Sequence, residues 1–138
     1  MNTMTKIFFS FLIITTLVGC AWTDDNESIK IVGSYNIAWN DLQSNRGIYK
    51  NINSCSGCSE VIIENYVFST GTKGKYIFAK QQTISTPLKT NYFIIDTLEN
   101  INSQNGVYGP LDKIEFENLA KKIGLKKVIF NKHFPKLK

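Results

Sequence analysis

One stretch of this chain carries the full signature of a helix, and the sequence on either side of it reads as strand. Asp112 can cap the amides of a first turn, and Glu115 three positions later can reach back to complete a capping box. Leu111 and Phe116 have the spacing of a hydrophobic staple across that cap. Phe116, Leu119, Ala120 and Ile123 recur at i, i+3, i+4 and i+7, which makes one apolar stripe able to lie on a sheet. Lys121 and Lys122 suit the negative end of the helix dipole, and Gly124 is a natural stop.

The remainder alternates strand-like runs with turn chemistry. Lys30 to Trp39 is rich in Ile, Val, Tyr and Trp and predicts a strand; Gly47 to Ile52 predicts a short one. Glu60 to Ser69 predicts a strand, Gly71-Thr72-Lys73-Gly74 a tight reversal, and Lys75 to Gln82 the hairpin partner. Asn91 to Thr97 is nearly continuous in apolar side chains, the pattern of a central strand covered on both faces. Val128 to Phe130 predicts a last edge strand. The expected fold class is α+β, an antiparallel sheet of about five strands with one C-terminal helix packed on it.

The first residues are read apart from that fold. Ile7 to Val18 is apolar except for Ser10, Thr15 and Thr16 and follows the single charge of Lys6. A bilayer-spanning helix needs roughly 20 apolar residues, so this run has the length of a signal-peptide core instead. It ends in Leu17-Val18-Gly19-Cys20, which resembles a bacterial lipobox: apolar residue, small residue at the scissile bond, then Cys. The alternative is an ordinary secretory signal with a chance cysteine. The resemblance implies cleavage after Gly19 and a diacylglycerol thioether on Cys20. Each acyl methylene would contribute about 0.8 kcal/mol to anchoring. Residues 1–19 are then the signal peptide, 20–28 the lipidated Cys20 and a polar tether, and 29–138 one α+β domain with a basic C-terminal tail. Trp22 would sit at headgroup level. Ala21 follows Cys20 where Asp would argue for inner-membrane retention in Gram-negative lipoproteins, and Asp24-Asp25-Asn26-Glu27 reads as a solvated linker. The expected location is a bacterial cell envelope, lipid-anchored and facing the periplasm or exterior.

Removing residues 1–19 from the 138 leaves about 119, enough for one domain. A chain 43% hydrophobic and 12% aromatic can bury a core, which argues against disorder. The net charge of +5 is uneven: Leu119 to Lys138 holds seven lysines and no carboxylate. Such an end can rest on anionic lipid or cell-wall polymer, though its plainer reading is a solvated tail. Nucleic acid is not an expected partner of an exported chain.

Lys75-Tyr76-Ile77-Phe78-Ala79-Lys80-Gln81 with Tyr92-Phe93-Ile94-Ile95-Asp96-Thr97 makes one half of a familiar pattern. Val107-Tyr108-Gly109-Pro110-Leu111 and a helix bearing Glu115, Phe116 and Leu119 make the other. Together they resemble a group of small bacterial lipoproteins known only as a domain of unknown function, over about Lys75 to Leu125. The resemblance brings no catalytic residues with it, and the Cys55/Cys58 pair stands outside it.

Cys55-Ser56-Gly57-Cys58 is the sharpest local chemical signal. A thiol–disulfide couple would need a lowered thiolate pKa, usually from a helix N-terminus beneath the motif, and here a strand is expected to follow. A zinc site needs about four ligands and only His133 could add one; haem attachment would need His where Ser59 stands. The plainer expectation is a structural disulfide between Cys55 and Cys58 in an oxidising compartment. His133, the only histidine, sits in the lysine-rich end, remote from any expected triad. Asp41, Asp96 and Asp112 are accounted for by a turn, a strand end and a helix cap, and Glu60 and Glu64 are expected to face solvent. Trp39 reads as core. Gly71 to Gly74 has hairpin length and no following helix, so it is no phosphate loop. The expectation is a non-catalytic binding protein of the envelope, of inhibitor or immunity type, with an envelope protein or cell-wall polymer as partner and no metal or cofactor. The alternatives are an envelope thiol–disulfide protein using Cys55 and Cys58, and a structural envelope lipoprotein.

Overall fold

The structure is a computed structural model that describes residues 27–40, 42–100 and 105–137. The leader, Cys20, Trp22, the tether as far as Asn26, Asp41 and part of the Leu98–Gly109 connection lie outside the described residues. Among the described residues, nine strands form two antiparallel sheets. Strands β1 (Glu27–Val32), β2 (Tyr35–Trp39), β3 (Gly47–Asn51) and β4 (Ser59–Ile63) pair in sequence order. The second sheet holds β5 (Val67–Lys73), β6 (Tyr76–Gln82), β7 (Thr90–Asp96), β8 (Val107–Leu111) and β9 (Lys132–His133), in the order β8-β7-β6-β5-β9. Helix α1 (Lys113–Lys122) packs on β7 and β8. No helix among the described residues is long and apolar enough to cross a membrane.

The expected single sheet of about five strands is thus corrected to two sheets, and the reason is local. Lys30 to Trp39 does not run as one strand, because Gly33 and Ser34 turn it into the β1–β2 hairpin. Glu60 to Ser69 is likewise divided: Glu64-Asn65-Tyr66 leaves the first sheet after Ile63 and enters the second at Val67. Apolar residues on both sides of the crossing hid it in the sequence, since Ile63 and Val67 are both core.

The two sheets close on each other over Tyr35, Ile37, Ile48, Ile63, Val67, Ile77, Ala79, Phe93 and Ile95, all buried. Period-2 alternation selects this face. In β2, Tyr35, Ile37 and Trp39 point inward while Asn36 and Ala38 are half-exposed, as a strand's geometry requires. The opposite face of the second sheet offers Phe78 and Ile94 to Phe116 and Ala120 of α1 and to Leu125. β7 is therefore covered on both faces, as its apolar run predicts, and β6–β7 form the middle layer of three.

Helix α1 follows its sequence signals. Asp112 Oδ1 accepts from the Glu115 amide at 2.8 Å, and Glu115 Oε2 accepts from the Asp112 amide at 2.8 Å. Gly124, at φ +82°, ends the helix in the left-handed region that other residues rarely adopt. The basic end is not a free tail. Lys132 and His133 pair with Thr70 and Ser69, so the edge strand lies just beyond the expected Val128–Phe130. Gly71 is the device that allows it: a Cβ there would collide with the Ile129 carbonyl. Gly71 therefore belongs to β5, and the β5–β6 turn is Gly74-Lys75.

Candidate functional site

Among the described residues, two of the concavities combine apolar with polar side chains in a way that could hold another molecule. The larger, about 590 Å³, opens where the chain crosses between the sheets and lies between Tyr49, Val61, Tyr66, Gln81 and Ile84. Hydrogen bonds fix its walls. Gln81 Nε2 donates to the Glu64 and Asn65 carbonyls at 3.0 and 2.8 Å, and Asn91 Nδ2 donates to Gln81 Oε1 at 3.2 Å. The Gln82 amide donates to the Tyr66 carbonyl at 3.1 Å, and Gln82 Oε1 accepts from the Leu137 amide at 2.9 Å. The adjoining 83–89 loop is pinned by the Thr83 amide on the Lys89 carbonyl and the Lys89 amide on Thr83 Oγ1, each at 2.9 Å. This loop holds Ile84 and Leu88 out in solvent at 72% and 50% exposure. The groove thus joins tyrosine rings and exposed aliphatics to neutral amides and hydroxyls, with Glu64 as its one carboxylate.

The smaller concavity, about 270 Å³, lies under α1. Phe116, Ala120, Leu125, Val128, Tyr92 and Phe130 give it an apolar floor, and Lys80, Lys113, Lys121 and Lys126 ring it with Glu117. Lys80 is half-buried on β6. Its ammonium lies 4.2 Å from the Phe130 ring centre and 5.6 Å from that of Tyr92. Burial lowers its pKa from the ordinary lysine value, and the nearby Lys136 and Lys113 charges lower it further.

The residues singled out in the sequence take separate places. Cys55 and Cys58 stand on the exposed loop between β3 and β4 at disulfide-bonding distance, their Cα atoms 5.3 Å apart. Backbone bonds from the Cys55 amide to the Ile52 carbonyl (3.2 Å) and from the Ile52 amide to the Cys58 carbonyl (2.9 Å) already close that loop. Strand β4 follows, as expected, and the pair meets neither His133 nor a cluster of acids. Among the described residues no three His, Cys, Asp or Glu side chains converge as metal ligands would.

His133 has its Nδ1 3.0 Å from Ser69 Oγ, a contact between residues 64 positions apart that no local pattern marks. Ser69 is only 1% exposed and its hydroxyl also reaches the Lys132 carbonyl at 3.2 Å. A hydroxyl so enclosed between paired strands fastens β9 to β5 and has no room for a substrate carbonyl. Asp96 is buried, 2.6 Å from Lys75 Nζ, and its Oδ1 accepts from the Leu98 and Glu99 amides at 3.1 and 3.4 Å. Burial opposes its charge, but the Lys75 ion pair and those amides hold its pKa below the ordinary carboxylate value. Asp112 is committed to the helix cap, Glu64 is exposed, and Glu60 is half-buried rather than facing solvent. Trp39 is core.

Arg46, Tyr35, Lys50 and Asn100 have strong local consequences that escaped the sequence. Arg46 lies in what reads as a turn, yet it is 2% exposed. Its guanidinium donates to the Val67 carbonyl at 3.3 Å and the Pro135 carbonyl at 2.6 Å and stacks 4.9 Å over Phe134, tying the end of the chain to the sheet crossing. Tyr35 donates to Asn100 Oδ1 at 2.7 Å, and Lys50 donates to the Asn100 carbonyl, so this asparagine closes one end of the sandwich. Burial, with the charges of Glu60 and Asp96, pushes the Tyr35 phenol up to about 12. Lys80 did leave a signal: in β6 it shares the period-2 face of Tyr76 and Phe78, a cation placed in line with core aromatics.

No curated protein and no solved structure matches the chain. The family described as "Protein of unknown function (DUF3997)" matches residues 32–133, which takes in the Cys55/Cys58 loop as well as the Lys75–Leu125 stretch. The match covers most of the described fold, both sheets and the helix included, and the chain therefore belongs to that uncharacterised family.

Proposed function

We propose that this chain is a non-catalytic binding lipoprotein of a bacterial cell envelope, anchored through acyl chains on Cys20. Its partner is an envelope protein or cell-wall polymer that docks in the groove at the sheet crossing. One observation carries the reading: a pre-formed groove of about 590 Å³ that combines Tyr49, Tyr66 and Ile84 with neutral hydrogen-bonding groups and a single carboxylate. That size and mixture suit a recognition site. Of the side chains that most often serve general acid–base chemistry, the groove holds Glu64 and the Tyr49 and Tyr66 phenols, and among the described residues no histidine, lysine or cysteine lines it. The inhibitor or immunity form of the reading gains support from Ile84 and Leu88, exposed on a hydrogen-bonded loop at the groove's lip.

The thiol–disulfide alternative draws no support from the 52–58 loop, where strand β4 stands in place of the helix N-terminus that would stabilise a thiolate. The test is capture of the full chain from its native envelope, repeated with Tyr66→Ala and Ile84→Asp. A partner recovered with the parent chain and lost with both variants supports the reading. Recovery that ignores both substitutions, with Cys55→Ser/Cys58→Ser as the only variant that matters, overturns it.

A further inference from the structure

We propose that the cavity beneath α1 is a second binding site, independent of the groove, for a small organic anion with an aromatic or short aliphatic body. The cavity joins an apolar floor to a cationic rim. Its floor is apolar: Phe116 and Phe130 lie 6.0 Å apart, ring centre to ring centre, and Tyr92 is 5.2 Å from Phe116. Its rim is cationic, with Lys80 from β6, Lys113 and Lys121 from α1 and Lys126 from the segment after it. The one rim carboxylate, Glu117, lies 3.9 Å from Lys113, both side chains largely in solvent.

Lys80 is the central group. The described residues give its ammonium aromatic rings but no carboxylate and no hydrogen-bond acceptor. A lysine whose stem covers aromatic surface and whose head stays wet would be ordinary by itself, and a ring contact contributes about 1 kcal/mol. That account covers Lys80 alone. It leaves unexplained why three more lysines, carried by two other segments, surround the same opening. An anion seated among them would be drawn to all four cations and supply the acceptor Lys80 lacks. Burial first, and then the Lys136 and Lys113 charges, lower the pKa of Lys80, and an anion at the opening would offset the second of these causes. The volume, about 270 Å³, limits the occupant to one ring or a short chain bearing a phosphate, sulfonate or carboxylate.

Phenyl phosphate is the probe, titrated calorimetrically into the purified full chain, with inorganic phosphate and benzyl alcohol as the charge-only and ring-only controls. Phenyl phosphate is expected to bind at least ten-fold more tightly than either control. Lys80→Met keeps the length and apolar stem and is expected to weaken binding at least ten-fold, whereas Lys30→Met, on β1, leaves it unchanged. Because Lys80 packs on the core, a second variant in the exposed rim, Lys121→Gln/Lys126→Gln, provides an independent measure and is expected to weaken binding about three-fold or more. Raising the salt should weaken binding for the parent chain and less so for the rim variant. The proposal is overturned if inorganic phosphate or benzyl alcohol binds as well as phenyl phosphate, or if neither Lys80→Met nor the rim variant changes the affinity. It is equally overturned if phosphatidylglycerol vesicles, but not phenyl phosphate, bind in a Lys80-dependent way, since the surface would then read lipid rather than a free anion.

Discussion

The two faces of the β6–β7 pair are closed by different means. Toward the four-stranded sheet, Ile77 and Ile95 meet Ile37 and Ile48, all fully buried β-branched side chains held between two rigid layers. Toward α1, Phe78 and Ile94 meet Phe116, Phe130 and Tyr92, and the covering layer is one ten-residue helix with an irregular segment after it. Branched aliphatics on two pleated surfaces interdigitate and leave little room. Large rings under a single helix leave a gap, here about 270 Å³, and the gap is rimmed with lysines. The contrast separates work: one face stabilises the fold, and the other has space for a ligand.

The comparison can be tested by truncation. Ile95→Ala opens a hole that two sheets cannot fill and is expected to cost about 4 kcal/mol in chemical denaturation. Phe116→Ala removes a larger side chain from a wall that already borders a cavity and carries a helix able to settle, so about 3 kcal/mol is expected. If Phe116→Ala proves clearly the more costly, the helix side is as rigid as the sandwich and the contrast fails. Replacing both Cys55 and Cys58 by Ser should cost at most about 2 kcal/mol, because so short a loop restricts the unfolded chain little. A greater loss, or loss of binding with stability intact, would mean that the exposed 52–58 loop does more than close itself.

Removing the cap by Asp112→Ala should cost about 1 kcal/mol and act on the helix layer alone. Amide exchange should then rise along α1 while β2 and β3 stay protected, and uniform loss would show that the layers unfold as one. The smallest effect is a titration at the end of β7. Asp96 has a folded pKa held below its ordinary value of 3.8, so its contribution is complete above that value and is lost as pH falls below it toward the folded pKa. Stability measured from pH ~6 down to pH ~2 should therefore fall less steeply in Asp96→Asn than in the parent chain.

Reading the sequence succeeded where the deciding forces are short-range. The helix, its capping box, the Gly124 stop and the doubly covered β7 follow from residues within a few positions of one another, and each is present. The division into two sheets was not legible, because Ile63 and Val67 look alike to any local rule although they belong to different sheets. The groove could not be read at all: Tyr49, Tyr66 and Ile84 lie far apart in the chain, and only the crossing at Glu64–Tyr66 brings them together.

Alone, then, the order of residues determined the helix and its ends and the run of antiparallel strands. Tertiary structure decided which strands share a sheet, that the basic end joins an edge as β9, and that four lysines from three elements ring one cavity. The physical reason is range. Caps and periodicities are energies between near neighbours, whereas a sheet partner or a shared cavity depends on the whole chain minimising its exposed apolar surface at once.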